Sequence, residues 1–260
     1  MAKGSRGGQR AGGLTSGSGN IQPQQTPQAQ QAQQAQVDNT QQAQAMSAQY
    51  DAFMQMNDDQ KADVIDSMIK QGVPSHLADN DFQKMIYNIG LNDKPQLVDD
   101  ATLNSMNGTE LWRTVNNVYD RQNDISYTAD QIARQVQAGR VTRVSDNGGS
   151  VYGRGIYFAD NKTESSYYGN TRGNVHKTAQ IRCKLNSNAN IINHSKAVQG
   201  ANSEITKGTK LGKVLAKCDR HSQASIYAMA KGYNVITSGH GYYNVLNRNA
   251  VTMSKSINSI

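Results

Sequence analysis

The sequence predicts an α+β domain on a split, mostly antiparallel sheet, preceded by a small helical region and a disordered N-terminal tail. Three observations lead there. Residues 1–46 contain almost no large apolar side chain. Residues 47–108 repeat apolar residues at helical spacing. From 109 to 260, short apolar runs alternate with irregular loops and a few helices, which suits a split antiparallel sheet. A chain of 260 residues allows one sizeable domain plus appendages. A hydrophobic content of 36% and a mean hydropathy of -0.71 are low for a chain folded throughout.

The tail opens with Gly and Ser around Lys3, Arg6 and Arg10, then becomes a Gln/Ala tract ending near Ala45. Such a segment has too little apolar surface to offset the entropy of ordering. Ala and Gln favour helix, so it is a candidate for docking on a partner; a solvated tail is the plainer reading.

In 47–108, Asn57 or Asp58 caps a helix with Ile65, Met68 and Ile69 on one face, ended by Gly72 and Pro74. Asp79 or Asn80 opens a second, with Phe82, Met85, Ile86 and Ile89 at helical spacing and Gly90 as its stop. Asp99 or Asp100 caps a short third, carrying Leu103 and Met106. These faces read as core.

Beyond Glu110 the period shortens. Leu111–Val115, Val141–Val144, Ala179–Leu185, Asn190–Ile192, Tyr233–Ile236 and Tyr242–Leu246 read as strands. Thr128-Ala129-Asp130-Gln131 is a capping box leading to Ile132 and Val136, with Gly139 as the end. Ser222–Lys231 reads as a helix, and Gly239–Gly241 as a flexible loop.

Charge is unevenly spread. The chain is +7 in all, made of +2 over 1–46, -7 over 47–110 and +12 over 111–260. A basic C-terminal part suits an anionic ligand such as a pyrophosphate, or nucleic acid. Cys183 and Cys218 make no disulfide framework and read as reduced thiols of a cytoplasmic protein. No apolar run approaches the length of a membrane span, and no signal-peptide core follows Met1. No metal is expected.

The most specific stretch is Gly153-Arg154-Gly155-Ile156-Tyr157-Phe158-Ala159-Asp160, continuing to Ser165 and Tyr168. Two glycines precede a strand of β-branched and aromatic residues, where something approaches the backbone closely. Asp160 or Asn161 caps a helix with Ser165 and Tyr168 three apart on one face. A strand, a turn and a helix face thus converge, and a hydroxyl with two tyrosine rings suits a flat, amide-bearing ring.

This stretch resembles the nicotinamide-binding signature of the ADP-ribosyltransferases, most closely the poly(ADP-ribose) polymerase branch. The resemblance covers about residues 110–253. It implies an ADP-ribosyltransferase-like split sheet over 109–260, with NAD as substrate in the cleft between its halves. It implies that Tyr157 and Tyr168 pack on the two faces of nicotinamide, that Ser165 hydrogen-bonds the carboxamide, and that Gly155 and Ala159 line the cofactor site. Arg113 matches the arginine version of the family's first signature position, where a guanidinium forks ribose and phosphate oxygens. Thr114 stands where the family has a glycine that contacts the carboxamide. Tyr242 stands where the family usually has a glutamate, so the implied triad is Arg113, Tyr157 and Tyr242. The implied activity is single ADP-ribose transfer from NAD to a protein or nucleic-acid acceptor, without chain elongation. His240 falls where the arginine-type branch has an acceptor-recognising residue; an exposed loop histidine is the plainer reading. A catalytically silent NAD- or ADP-ribose-binding module and a structural, virion-associated protein are the alternatives, since the tail, helices and small size also resemble phage-encoded proteins. The location expected is the host cytoplasm or the virion.

Overall fold

The fold was read from a computed structural model that describes residues 49–91, 93–139, 141–145, 151–169 and 178–259, without the side chains of 167–169 and 259. The tail over 1–46 lies outside the described residues.

Helix α1 (49–55) brings Phe53 into the interior. Helix α2 (Asp58–Ile69) starts at Asn57 in a complete capping box with Gln60. Helix α3 (Asp81–Asn88) is capped by Asn80 and buries Phe82, Met85 and Ile86. Strand β1 (Gln96–Val98) and helix α4 (Asp100–Ser105), capped by Asp99, follow. The sequence anticipated all three capped helices.

Strand β2 (Glu110–Asn116) leads to a hairpin of β3 (Val118–Asp120) and β4 (Ile125–Tyr127), then to α5 (Ala129–Ala138) behind the Thr128 capping box. Next come β5 (Ile156–Ala159), α6 (Lys162–Gly169), β6 (Thr178–Leu185) and β7 (Ile191–Asn193). Three helices follow: α7 (His194–Lys207), α8 (Lys210–Leu215) and α9 (Arg220–Ala230). Strands β8 (Val235–Thr237), β9 (Tyr242–Val245), β10 (Val251–Ser254) and β11 (Asn258–Ser259) close the chain.

Nine of the strands form one mixed, mostly antiparallel sheet in the order β1-β10-β6-β2-β5-β9-β8-β7, with β11 also on β6, and β3 and β4 form a separate two-stranded sheet. Among the described residues only β1–β10 and β7–β8 are parallel. Strands β2 and β6 pair over their whole length, Glu110↔Lys184 to Asn116↔Thr178. By contrast, β2 and β5 share a single register pair, Trp112↔Ala159. The sheet is therefore two ladders joined at one point.

Alternation along the strands feeds two cores. On one side Leu111, Val115, Ile156, Phe158, Val235 and Val245 pack against Ile132, Ala133 and Val136 of α5. On the other side Ile192, Ile236 and Leu246 meet Leu211, Leu215, Ile226 and Met229 from α8 and α9. The apolar faces of α1, α2 and α3 complete that second core through Phe53, Ile65 and Ile86. Residues 47–108 thus share their interior with the C-terminal part.

One sequence assignment is corrected. Val141–Val144 is a turn, with Thr142 making an isolated bridge to Leu77. The Thr142 and Ser145 side chains bond each other and each other's backbone N–H, a local alternative to strand pairing. The apolar pair Val141 and Val144 is nevertheless buried.

Candidate functional site

The site begins with two glycines. Gly155 has φ +151, and a Cβ there would collide with Oδ1 of Asn244 on β9. Gly153 has φ +94, and a Cβ there would lie 2.5 Å from the Ser225 hydroxyl of α9. Only glycine meets both the conformation and the close approach. The approach lets Asn244 Nδ2 donate to the carbonyls of Tyr152 and Arg154, at 3.0 and 3.1 Å. Ser225 Oγ donates to the Arg154 carbonyl at 2.8 Å. The segment before β5 is thereby fastened to β9 and α9.

The β5–β9 register pairs Tyr157 with Asn244 and Ala159 with Tyr242. Tyr157 and Tyr242 are therefore diagonal neighbours on one side of the sheet. Ala159 is also the residue that joins β2, so the three segments singled out in the sequence occupy adjacent strands in the order β2-β5-β9. On that same side Thr114 of β2 lies under α6. Its hydroxyl is 2.9 Å from that of Ser165, and either can donate. Gln180 of β6, fully buried, donates from Nε2 to Thr114 Oγ1 at 3.1 Å and to Ser166 Oγ at 2.9 Å. Asn161 caps α6 through its Oδ1, which accepts from Thr163 N at 2.8 Å. Ser165 is only 3% exposed.

Arg113 is placed differently. Alternation puts it on the side of Leu111 and Val115, away from Thr114. Where the ladders part, its Nη1 donates to the Tyr157 carbonyl at 3.0 Å and its Nη2 to the Ser145 carbonyl at 2.8 Å. The guanidinium thus braces β2 to β5 where backbone pairing stops.

The structure adds an aromatic cluster that the sequence reading missed. The Tyr152 ring stacks on Tyr242 at 6.2 Å and lies tilted on Tyr157 at 6.3 Å. It meets His194, the first residue of α7, edge-on at 5.3 Å. Tyr157 Oη accepts from the Tyr152 N–H at 2.9 Å and donates to the Gly153 carbonyl at 2.5 Å. Burial lowers the His194 pKa from the ordinary histidine value. The signal available in the sequence was Tyr152 itself, five residues before Tyr157; nothing local marks His194.

Two expected residues take no part in this cluster's described contacts. His240 is exposed on the loop before β9, its N–H bonded to Ser238 Oγ. The side chain of Tyr168 lies outside the described residues. Cys183 and Cys218 are free and buried, and burial raises both thiols, Cys218 to about 12. Among the described residues no group of three or more His, Cys, Asp or Glu is placed to hold a metal ion, and no helix is long and apolar enough to cross a membrane. No family model matches the chain, and neither a curated protein nor a solved structure matches it.

Proposed function

We propose that the chain is a mono-ADP-ribosyltransferase that uses NAD as substrate. One observation carries the reading. Thr114, Tyr157, Ala159, Ser165 and Tyr242, distant in sequence, come together on one side of three adjacent strands where the two ladders part. The parting at Trp112 and Ala159 supports an ADP-ribosyltransferase-like split sheet, with NAD lying along it.

On this reading the Tyr157 ring stacks on nicotinamide, and the Ser165 hydroxyl bonds the carboxamide. Tyr242 packs against the nicotinamide ribose. A nucleophile on the acceptor attacks C1″ as the C1″–N bond breaks. The bond's electron pair goes to the pyridinium nitrogen, and nicotinamide leaves neutral. The nucleophile's proton passes to solvent. Orientation and strain of the bound NAD supply most of the acceleration, because no carboxylate stands at Tyr242. The acceptor is a host protein; the +12 charge of residues 111–260 also accommodates nucleic acid. The site of action proposed is the host cytoplasm, or a virion docked through the tail.

A second reading has its own support. Both described bonds of the Arg113 guanidinium go to backbone carbonyls, and Tyr242 stands where the resembled family usually has a glutamate. These features favour a module that binds NAD without turning it over. Incubating the full chain with labelled NAD and host lysate separates the two. Nicotinamide release with a single ADP-ribose mass shift on an acceptor supports transfer. Binding without release supports the silent module, and no binding removes both.

A further inference from the structure

We propose that Tyr152 gates the ring site: its own ring covers the surface that a flat, carboxamide-bearing heteroaromatic ring must take. The inference rests on the reading of Tyr157 and Tyr242 as ligand-contacting residues. The geometry is specific. The Tyr152 ring meets both Tyr157 and Tyr242, with centroids at 6.3 and 6.2 Å, and meets His194 edge-on at 5.3 Å. A planar ligand stacking on Tyr157 meets Tyr152 first.

The backbone of Tyr152 is held by hydrogen bonds that do not involve its ring. The N–H donates to Tyr157 Oη, and the carbonyl accepts from Asn244 Nδ2. Both bonds survive rotation about the side-chain torsions, so the ring can swing aside without unfolding the segment. The side chain is only half-buried, and partly exposed rings change rotamer quickly. The stack it leaves is replaced by the stack the ligand makes. A ligand that lacks an aromatic face gains nothing that offsets the loss, so the gate selects for planar rings.

The test is calorimetric titration of NAD and of nicotinamide into the full-length wild type, Tyr152→Ala and Tyr152→Phe, with an unfolding curve for each. Removing a competing stacked ring should tighten binding about three- to tenfold in Tyr152→Ala, the range of one aromatic pair. Tyr152→Phe keeps the ring and should bind like wild type. If wild type binds and Tyr152→Ala binds equally or more weakly, the gate is wrong and the nicotinamide reading stands. If no protein binds either ligand, the nicotinamide reading itself fails and the gate falls with it. Should Tyr152→Ala not fold, 3-fluorotyrosine-labelled wild type decides. Its Tyr152 resonance, assigned by its absence in Tyr152→Phe, should shift on saturation with NAD. No shift at saturation overturns the gate.

Discussion

The two ladders of the sheet are held by different means. In the first, β2 and β6 exchange bonds from Glu110↔Lys184 to Asn116↔Thr178, and β10 and β1 extend the pairing. Backbone hydrogen bonds fix its register. In the second, β5, β9, β8 and β7 are short, and the entry to β5 is fixed by side chains: Asn244 and Ser225 on the carbonyls of Tyr152 and Arg154. The frame half carries Thr114 and Gln180; the side-chain-fastened half carries Tyr152, Tyr157 and Tyr242. The comparison teaches that a site on such a seam takes rigidity from one side and adjustment from the other, as elements with few backbone bonds open more easily.

The largest effect is expected where the frame half is locked. Arg248 is 0% exposed and faces Asp93, with Nη2 to Oδ2 at 2.8 Å and Nε to Oδ2 at 3.1 Å. Its Nη1 donates to the Val136 carbonyl of α5 at 2.7 Å. Asp93→Ala strands a buried guanidinium and should cost about 3–5 kcal/mol in denaturant unfolding. A loss under about 1 kcal/mol would mean that water reaches the arginine and that the frame is softer than its ladder implies.

The second half should break at its glycines. Gly155→Ala places a Cβ against Asn244 Oδ1 in a backbone conformation unfavourable to alanine. A cost of about 1–3 kcal/mol is expected. Combining it with Asn244→Ala should recover part of that loss, since one colliding atom is gone while the Val245 carbonyl, 2.9 Å from the added Cβ, remains. Fully additive losses in the double-mutant cycle would show that Asn244 is not what the glycine accommodates.

Much of this was legible in the sequence because the signals were local. Asn57 or Asp58, Asp79 or Asn80, Asp99 or Asp100 and the Thr128 capping box each announced a helix, and Asn57, Asn80, Asp99 and Thr128 are the caps. Strand β5, its two glycines and the helix carrying Ser165 were legible for the same reason. Helix α7 was not: it buries Ala197 and Ala201 and carries Gly200, so no large apolar period marks it. The strand expected at Val141–Val144 failed because Thr142 and Ser145 satisfied the backbone locally. Arg248 gave no signal, since a buried charge depends on a partner 155 positions away in the chain. For the site, the sequence named Tyr157 and Tyr242 but not the ring over them. It also assigned Arg113 to a ligand, and nothing local in the sequence shows that two of its guanidinium bonds go to the Tyr157 and Ser145 carbonyls.

Across the seam itself, the hydroxyl pair offers a smaller test. Ser165→Ala removes one member of the Thr114–Ser165 pair while Gln180 Nε2 still satisfies Thr114. On the proposed reading it should weaken NAD binding by about 0.5–1.5 kcal/mol, the net worth of one hydrogen bond. Calorimetry showing unchanged affinity with an unchanged melting temperature would remove Ser165 from the ligand site.

The smallest effect concerns His194 and has a definite sign. Burial lowers its folded pKa below the ordinary value of 6.5. As pH falls through that ordinary value, the unfolded chain takes up a proton that the folded protein resists binding. Stability therefore declines as pH drops from the ordinary value toward the lowered folded one, then levels off below it. Because the ring is only partly covered, solvent screening keeps the effect small. Melting curves at about pH 7.5 and about pH 5.5 bracket the transition. Wild type should lose more melting temperature between them than His194→Phe, which keeps a ring against Tyr152 but cannot titrate. Every other group titrates alike in the two proteins, so the difference belongs to His194. Equal losses would place the imidazole in water, uncoupled from Tyr152, and would remove one wall from the cluster on the adjustable half.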